Sequence, residues 1–138
     1  MKVLQHVMRN INEFNIPSSS QCGYDILYFG VNLILMFDYR LSFDVEVKNS
    51  IEEIEILILS RKEVGVWKTS SDHKEINVYY KKSGIRINDT IKPSISDAYA
   101  FIINNRASSI SMPKNVMVTL VHTWAQEVKE NRLKEIKP

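Results

Sequence analysis

The stretch from position 41 to position 48 alternates strictly between apolar and polar residues. The apolar members are Leu41, Phe43, Val45 and Val47, and the polar members are Ser42, Asp44, Glu46 and Lys48. Successive side chains of a β-strand point to opposite faces, so this period of two predicts a strand with one buried face and one face in water. The chain must therefore form a sheet that another layer covers on one side.

Further segments with strand character follow at intervals of about 8–12 residues. They are rich in Ile, Val and aromatic residues and lie at 24–39, 54–59, 64–67, 76–80 and 85–87. The first is long enough for either one hairpin or one bent strand, and the sequence leaves that choice open. Because no helical segment interrupts the series, it predicts a mainly antiparallel sheet of about 5–6 strands.

Three other segments carry apolar residues at helical spacing. Residues 2–14 predict a short amphipathic N-terminal helix, and residues 94–105 predict a second helix that Ser94 and Asp97 cap. A third helix is predicted to begin near Pro113 and to bury a stripe formed by Met117, Leu120, Val121, Trp124 and Val128. The stripe drifts after its last member, so residues 129–138 are expected to form a fraying helical tail.

These elements predict an α+β fold. We expect one domain over residues 1–138, in which the N-terminal helix and the two C-terminal helices pack on the mainly antiparallel sheet. A chain of 138 residues has the usual size of a single domain, and its sequence shows no internal repeat and no linker.

Composition excludes several classes of function. The net charge is +2, the chain has four Gly and one Cys, and the three His residues are far apart in the sequence. These counts provide no glycine loop for a nucleotide, no disulfide framework and no metal-ligand spacing, so we expect no cofactor and no metal. The most apolar run, residues 26–37, is too short to span a bilayer, so we expect no membrane contact.

The N-terminal sequence favours a cytoplasmic location. It lacks the unbroken apolar stretch and the small-residue cleavage site of a secretory signal. The chain also has a single cysteine, Cys22, as is common in a reducing compartment.

Acidic residues predict a surface for a basic protein partner. Asp44 and Glu46 share one face of the predicted strand over 41–48, about 7 Å apart. Three more carboxylates follow at Glu52, Glu53 and Glu55. Such a pair of carboxylates is also typical of glycosidases or metal sites, but the wet face of a strand is the simpler interpretation. As a patch, the five acids would select and steer a basic partner such as a toxin or an enzyme.

Basic and aromatic residues predict an alternative nucleic-acid interface. Residues 61–92 contain eight Lys or Arg against four Asp or Glu. Cations interleaved with aromatic rings on a sheet are typical of single-strand binding. The candidate contacts are Trp67, Lys68, Lys74, Lys81, Lys82 and Arg86. The competing interpretation is that these lysines block pairing at a strand edge.

A small enzyme is the second alternative, and it would use Cys22 or His73. Cys22 lies in a serine-rich loop before a glycine, and His73 follows an aspartate in a polar loop. Without a visible base or nucleophile beside either, an ordinary loop residue is the simpler interpretation. His122 is expected near the polar flank of the third helix, as a rim histidine.

The preferred functional prediction is a small non-catalytic protein that binds another macromolecule, most simply a protein. An inhibitor or immunity-type protein is a concrete example, since such a protein needs only a shaped and charged surface. A homodimer is a further option, with the helix that carries Trp124 as the dimer face.

Overall fold

The computed structural model describes residues 2–18, 22–69, 76–106 and 112–128. Within these ranges the chain forms strands almost throughout, with a single-turn 3-10 helix at Arg61–Glu63 and one short α-helix. The α-helix, α1, is Val64–Thr69. The strands are β1 (Lys2–Ile16), β2 (Tyr24–Val31), β3 (Phe37–Val47), β4 (Ile54–Ser60), β5 (Val78–Gly84), β6 (Arg86–Ile91), β7 (Asp97–Asn104) and β8 (Lys114–Val128).

Eight strands form two antiparallel sheets of four. Sheet A has the order β1-β8-β3-β6, and sheet B has the order β2-β7-β4-β5. Strand β1 pairs with β8, β2 with β7, β3 with β6, and β4 with β5. The first half of the chain thus runs antiparallel to the second half like one long hairpin, and successive pairs alternate between the two sheets. This is the topology of a jelly roll.

The main core lies between the two sheets. Every second residue of β3 points inward, and the same holds for β7 and β8, which explains the alternation seen in the sequence. Its aromatic centre is Phe43, whose ring meets those of Phe101 and Tyr80 edge to face at 5.3 and 5.2 Å between centroids. Such contacts add to the free energy gained by burying apolar area.

A second, smaller core lies on the outer face of sheet B, under α1. Val64 and Trp67 are three residues apart on α1, so both side chains point to the sheet, where they meet Leu57, Leu59 and Ile102. The guanidinium of Arg106 covers the Trp67 ring at 4.1 Å. The two central strands of sheet B, β4 and β7, are therefore buried on both faces, which is why they are nearly continuous apolar runs.

The predicted α+β class is wrong, because the predicted N-terminal helix is β1 and the predicted third helix is β8. In β1, the apolar residues that have helical spacing lie on two different strand faces. Leu4 and Phe14 lie on the inward face, whereas Val7 and Ile11 point outward. In β8, every second residue faces the core: Val116, Val118, Leu120 and His122 are all buried. β-branched residues favour such a pleated, half-buried surface over a helix.

The second predicted helix is also wrong, since Asp97–Asn104 is β7. Burial on both faces removed the strand period there, and the remaining apolar run imitated a helix. The reverse error occurred at 64–67, a predicted strand that forms part of α1. Residues 24–39 are neither one hairpin nor one bent strand, because β2 and β3 belong to different sheets. The predicted tail at 129–138 lies outside the described residues.

Trp67 should be a large contributor to stability, because its ring is 1% exposed while its neighbour Val66 is 50% exposed. We expect Trp67→Ala to lower the free energy of unfolding by about 3–5 kcal/mol through the lost contacts and the cavity left behind. The matched control Val66→Ala should change it by no more than about 0.5 kcal/mol. Urea titrations of both variants measure this difference, and equal small losses would contradict the burial of Trp67.

Candidate functional site

The outer edge of β1 is the longest strand edge that the described residues leave unpaired. Strand β1 has 15 residues, all paired with β8 on one side, and it stands at the end of sheet A. An edge strand in an antiparallel sheet directs only half of its N–H and C=O groups to its neighbour. The other half of this backbone faces away from the sheet and is available for a further strand.

The other three edges carry features that hinder strand addition. In β2, the Asp25 carboxylate accepts a hydrogen bond from the Ile26 N–H at 2.8 Å, and in β6 the Asp89 carboxylate accepts one from the Thr90 N–H at 3.1 Å. Each bond occupies a donor that would otherwise serve a new strand. The fourth edge, β5, carries Lys81 and Lys82, whose charges oppose edge pairing.

Strand β1 lacks these features over most of its length. Within the described residues, no side chain forms a hydrogen bond to the backbone of residues 3–16. The strand has no Pro, its one Lys is at its first residue, and its other charged residues are Arg9 and Glu13. A long edge without these features is a template for pairing with another chain.

The two faces of β1 differ in what they contact. Even-numbered residues face sheet B: Ile16 is buried, Phe14 packs against the main core, and Met8 lines a cavity. Odd-numbered residues face outward, and among them Val7 is 70% exposed and Ile11 57% exposed. The outer face of β1 therefore alternates apolar residues with polar and charged ones, and it lies at an edge that the described residues leave unpaired.

A polar junction fixes the C-terminal end of β1. The Asn105 side-chain amide donates to the carbonyls of Pro17 and Met112 at 2.9 and 2.8 Å. Its carbonyl oxygen accepts a hydrogen bond from the buried ammonium of Lys114. These bonds join the end of β1 to the start of β8, so the register of the edge strand is set from this end.

A cavity of about 190 Å³ lies between the sheets, under the middle of β1. Its polar wall includes His122 on β8, whose Nδ1 is 2.5 Å from the hydroxyl of Tyr39. Phe29 packs against the His122 ring edge to face, and Trp124 stacks on His6 at 5.1 Å between centroids. The cavity shows that the inward face of β1 is less tightly packed than the rest of the main core.

Burial shifts the titration of the two hydrogen-bonded groups beside the cavity. It raises the pKa of the Tyr39 hydroxyl, with a smaller contribution from Tyr99, so Tyr39 stays protonated at neutral pH. It lowers the pKa of His122 below its ordinary value of 6.5, because the charged imidazolium is poorly solvated there. The imidazole is therefore neutral at pH 7, and the pair has no net charge.

We expect His122 to make the fold acid-sensitive. His122 of the unfolded chain binds a proton near the ordinary pKa of 6.5, whereas His122 of the folded chain binds it less readily. The contribution of His122 to the free energy of unfolding is therefore fully present above about pH 6.5 and falls as the pH drops below that value. The slope attributable to one group is at most about 1.4 kcal/mol per pH unit. Urea titrations between pH 7 and pH 5 measure it.

Two variants separate this effect from other groups that titrate. His122→Gln should lose this part of the pH dependence, and Tyr39→Phe should retain it because His122 stays buried. If wild type and His122→Gln gave the same slope, His122 would not be the source.

The five acidic residues predicted to bind a partner do not lie on one surface. Asp44 and Glu46 are on the outer face of sheet A, where Arg86 lies 3.3 Å from Asp44 and Lys48 lies 3.3 Å from Glu46. Glu55 is on the outer face of sheet B, only 13% exposed, and accepts a hydrogen bond from Asn104 at 3.0 Å. The last two acids, Glu52 and Glu53, lie in the loop before β4. A common role for the five as one contact patch stays a prediction.

The basic and aromatic set is also spread over the molecule. Trp67 is buried under Arg106 and cannot stack on a base in this conformation. Lys81 and Lys82 lie on the edge strand β5, near the carboxylates of Glu55 and Asp89 at 3.8 and 4.0 Å. Of the other members, Lys68 is exposed on α1, Arg86 is on β6, and Lys74 lies outside the described residues. Nucleic-acid binding by this set stays a prediction.

Of the two residues proposed for catalysis, the structure describes Cys22. Cys22 is exposed, with a φ of 65° in the turn before β2, and His73 lies outside the described residues. The expectation of a rim position for His122 is wrong, because it faces the core from β8. The predicted dimer helix is a strand, and its Trp124 faces inward beneath β1.

The described residues contain neither a metal-binding cluster nor a membrane-spanning helix. Among the residues that the structure describes, no cluster of three or more His, Cys, Asp or Glu side chains is arranged to hold a metal ion. In the same residues, no helix is both long enough and apolar enough to cross a lipid bilayer.

Comparison with known proteins gives a similarity in fold. No protein-family model matches the sequence, and no curated protein matches it. Among solved structures, a protein from Bacillus endospore appendages, described as a novel family of disulfide-linked pili, aligns over 92% of this chain and 93% of its own with a TM-score of 0.57. The two sequences are 6% identical, so the likeness concerns the fold alone.

A second match is an arabinose-bound α-L-arabinofuranosidase. It aligns with 94% of this chain and 24% of its own length, at 12% identity and a TM-score of 0.39. A TM-score this low does not establish a shared fold, and the function of that enzyme does not bear on this chain.

Sequence reasoning missed the residues on the outer face of β1. Val7, Arg9, Ile11 and Glu13 were assigned to a helix, and the only signal for a strand was weak, since both faces of β1 carry apolar residues. An edge position depends on strand order, which a single sequence does not encode locally.

Proposed function

We propose that this protein is a β-sandwich subunit that associates with other copies of itself by strand addition at β1. The association would be a structural function, in which the edge strand of one copy extends its sheet with a strand of another. Like the prediction from sequence, this proposal describes a protein that binds another protein. The main contact, however, is the backbone edge of β1 and not the acidic patch.

The observation that carries the proposal is the contrast between β1 and the other edges. Strands β2, β5 and β6 have Asp side chains on edge amides or lysines along the edge, whereas β1 is about twice their length or more and exposes Val7 and Ile11 on its outer face. Natural sheets usually shorten, charge or cover an edge that must stay single. An edge left open over such a length is typical of one that pairs with another chain.

The chemistry of the edge suits a protein strand. Backbone N–H and C=O groups along β1 supply the hydrogen bonds, and alternate side chains such as Val7 and Ile11 supply apolar contact on the outer face. Burying these two side chains against a partner would contribute hydrophobic free energy in addition to the hydrogen bonds.

The shared fold gives secondary support. The Bacillus endospore appendage protein, which has a similar fold, belongs to a family of pili. This likeness supports a role in assembly, and a symmetric contact through β1 would join two copies within it. A role in a surface fibre would place this chain outside the cell, whereas the sequence favoured the cytoplasm, and the location stays a prediction.

A lysine substitution on the outer face of β1 tests the proposal. Ile11→Lys should weaken self-association about tenfold or more, because each pairing would bury or crowd a charge at the edge. The fold should remain intact, since Ile11 is exposed in the single copy. Sedimentation velocity across a concentration series measures the association, and circular dichroism checks the fold.

The matched control is Ile51→Lys. Ile51 is 93% exposed in the loop before β4, so the same chemical change occurs away from any strand edge. The control should associate like the wild type. A wild-type chain that stays monomeric at high concentration, or an equal loss in both variants, would overturn the proposal.

A further inference from the structure

We propose a specific register for this pairing: two copies join β1 to β1 in antiparallel orientation, with Arg9 of each copy opposite Glu13 of the other and Ile11 opposite itself. The inference rests on the self-association proposed above and adds the geometry of the contact. It would merge the two A sheets into one continuous eight-stranded sheet.

Symmetry limits the registers to be considered. In a two-fold contact, residue i opposes residue j and residue j opposes residue i, so the sum of the two numbers is constant along the pair. If both B sheets lie on the same side of the merged sheet, inward residues oppose inward residues. The sum of the two residue numbers is then even, and the value of this sum defines each candidate register.

Charge separates these candidates. A sum of 18 places Arg9 against Arg9, and a sum of 26 places Glu13 against Glu13, which like-charge repulsion disfavours. Sums of 16, 20 and 24 place at least one of the two charged residues opposite an apolar residue. Only a sum of 22 sets Arg9 opposite Glu13, and the two-fold axis then produces this pair twice.

The two charged side chains are available for a partner from another copy. Both are exposed, and neither forms an ion pair with any residue that the structure describes. Arg9 and Glu13 cannot pair with each other within one strand, because four residues of extended chain separate them by about 13 Å. Across the proposed contact they become direct neighbours on the outer face.

The same register brings apolar residues together. On the outer face, Ile11 lies opposite Ile11 of the second copy at the two-fold axis. On the inner face, Met8 lies opposite Phe14 of the second copy. The paired segment runs from residue 6 to residue 16, which is most of β1. The competing register with a sum of 14 opposes Val7 to itself and Val3 to Ile11, but it leaves both charged residues without an opposite charge.

Cysteine crosslinking distinguishes these two registers. Residues directly opposite in an antiparallel pair have Cα atoms about 4.5–5.5 Å apart, within the range of a disulfide. In a Cys22→Ser background, which removes the exposed native thiol, Ile11→Cys should form a disulfide-linked dimer under mild oxidation. Val7→Cys, which would oppose Asn15, should crosslink far more slowly.

Charge reversal supplies an independent measurement. Arg9→Glu should weaken the dimer about tenfold, because two favourable pairs become two repulsive ones. The double variant Arg9→Glu/Glu13→Arg restores opposite charges at both positions and should recover the wild-type dissociation constant. Added salt should weaken the wild-type dimer and strengthen the Arg9→Glu variant.

The outcomes separate failure of the register from failure of the proposed function. If Val7→Cys crosslinks faster than Ile11→Cys and charge reversal has no effect, the register is wrong while strand addition at β1 stands. If Ile11→Lys also leaves association unchanged, pairing through β1 is wrong altogether. Recovery in the double variant together with selective crosslinking at Ile11 supports the register.

Discussion

The structure depends on the pairing of β8 with two strands at once. This 15-residue strand binds β1 along one edge and β3 along the other, so it connects the two ends of the chain to the middle of sheet A. Its inward residues Val116, Val118 and Leu120 enter the main core. Among the described residues β1 pairs with β8 alone, so the position of the β1 edge is set by this strand and by the junction of Lys114 with Asn105.

The sequence predicts the middle of this fold and fails at its ends, for a physical reason. Strand β3 has one face against the core and one in water, so its pattern has a clear period of two. Strand β7 is buried on both faces and β1 is largely exposed on both, and neither environment imposes alternation. Apolar residues then fall at three- and four-residue spacings by composition alone, and a helix is predicted where the chain is extended.

The candidate site shows the same division between local and long-range information. Lysines at 81 and 82 were interpretable from sequence as edge residues, and they do lie on an edge strand. Asp44 and Glu55 fall on opposite outer faces, because β3 and β4 belong to different sheets. Sheet assignment follows from the pairing of distant strands, and no local pattern contains it.

The packing beneath β1 explains why association would also stabilise the fold of each associated copy. Strand β1 is held by one ladder of hydrogen bonds and by a few inward residues around a cavity. A second ladder on its outer edge would hold it from both sides and give Val7 and Ile11 cross-strand neighbours. A partner that binds only the docked strand shifts the equilibrium toward that state by mass action. The open edge and the loose packing are therefore consistent with each other, since a strand that completes its contacts in an assembly need not be fully secured alone.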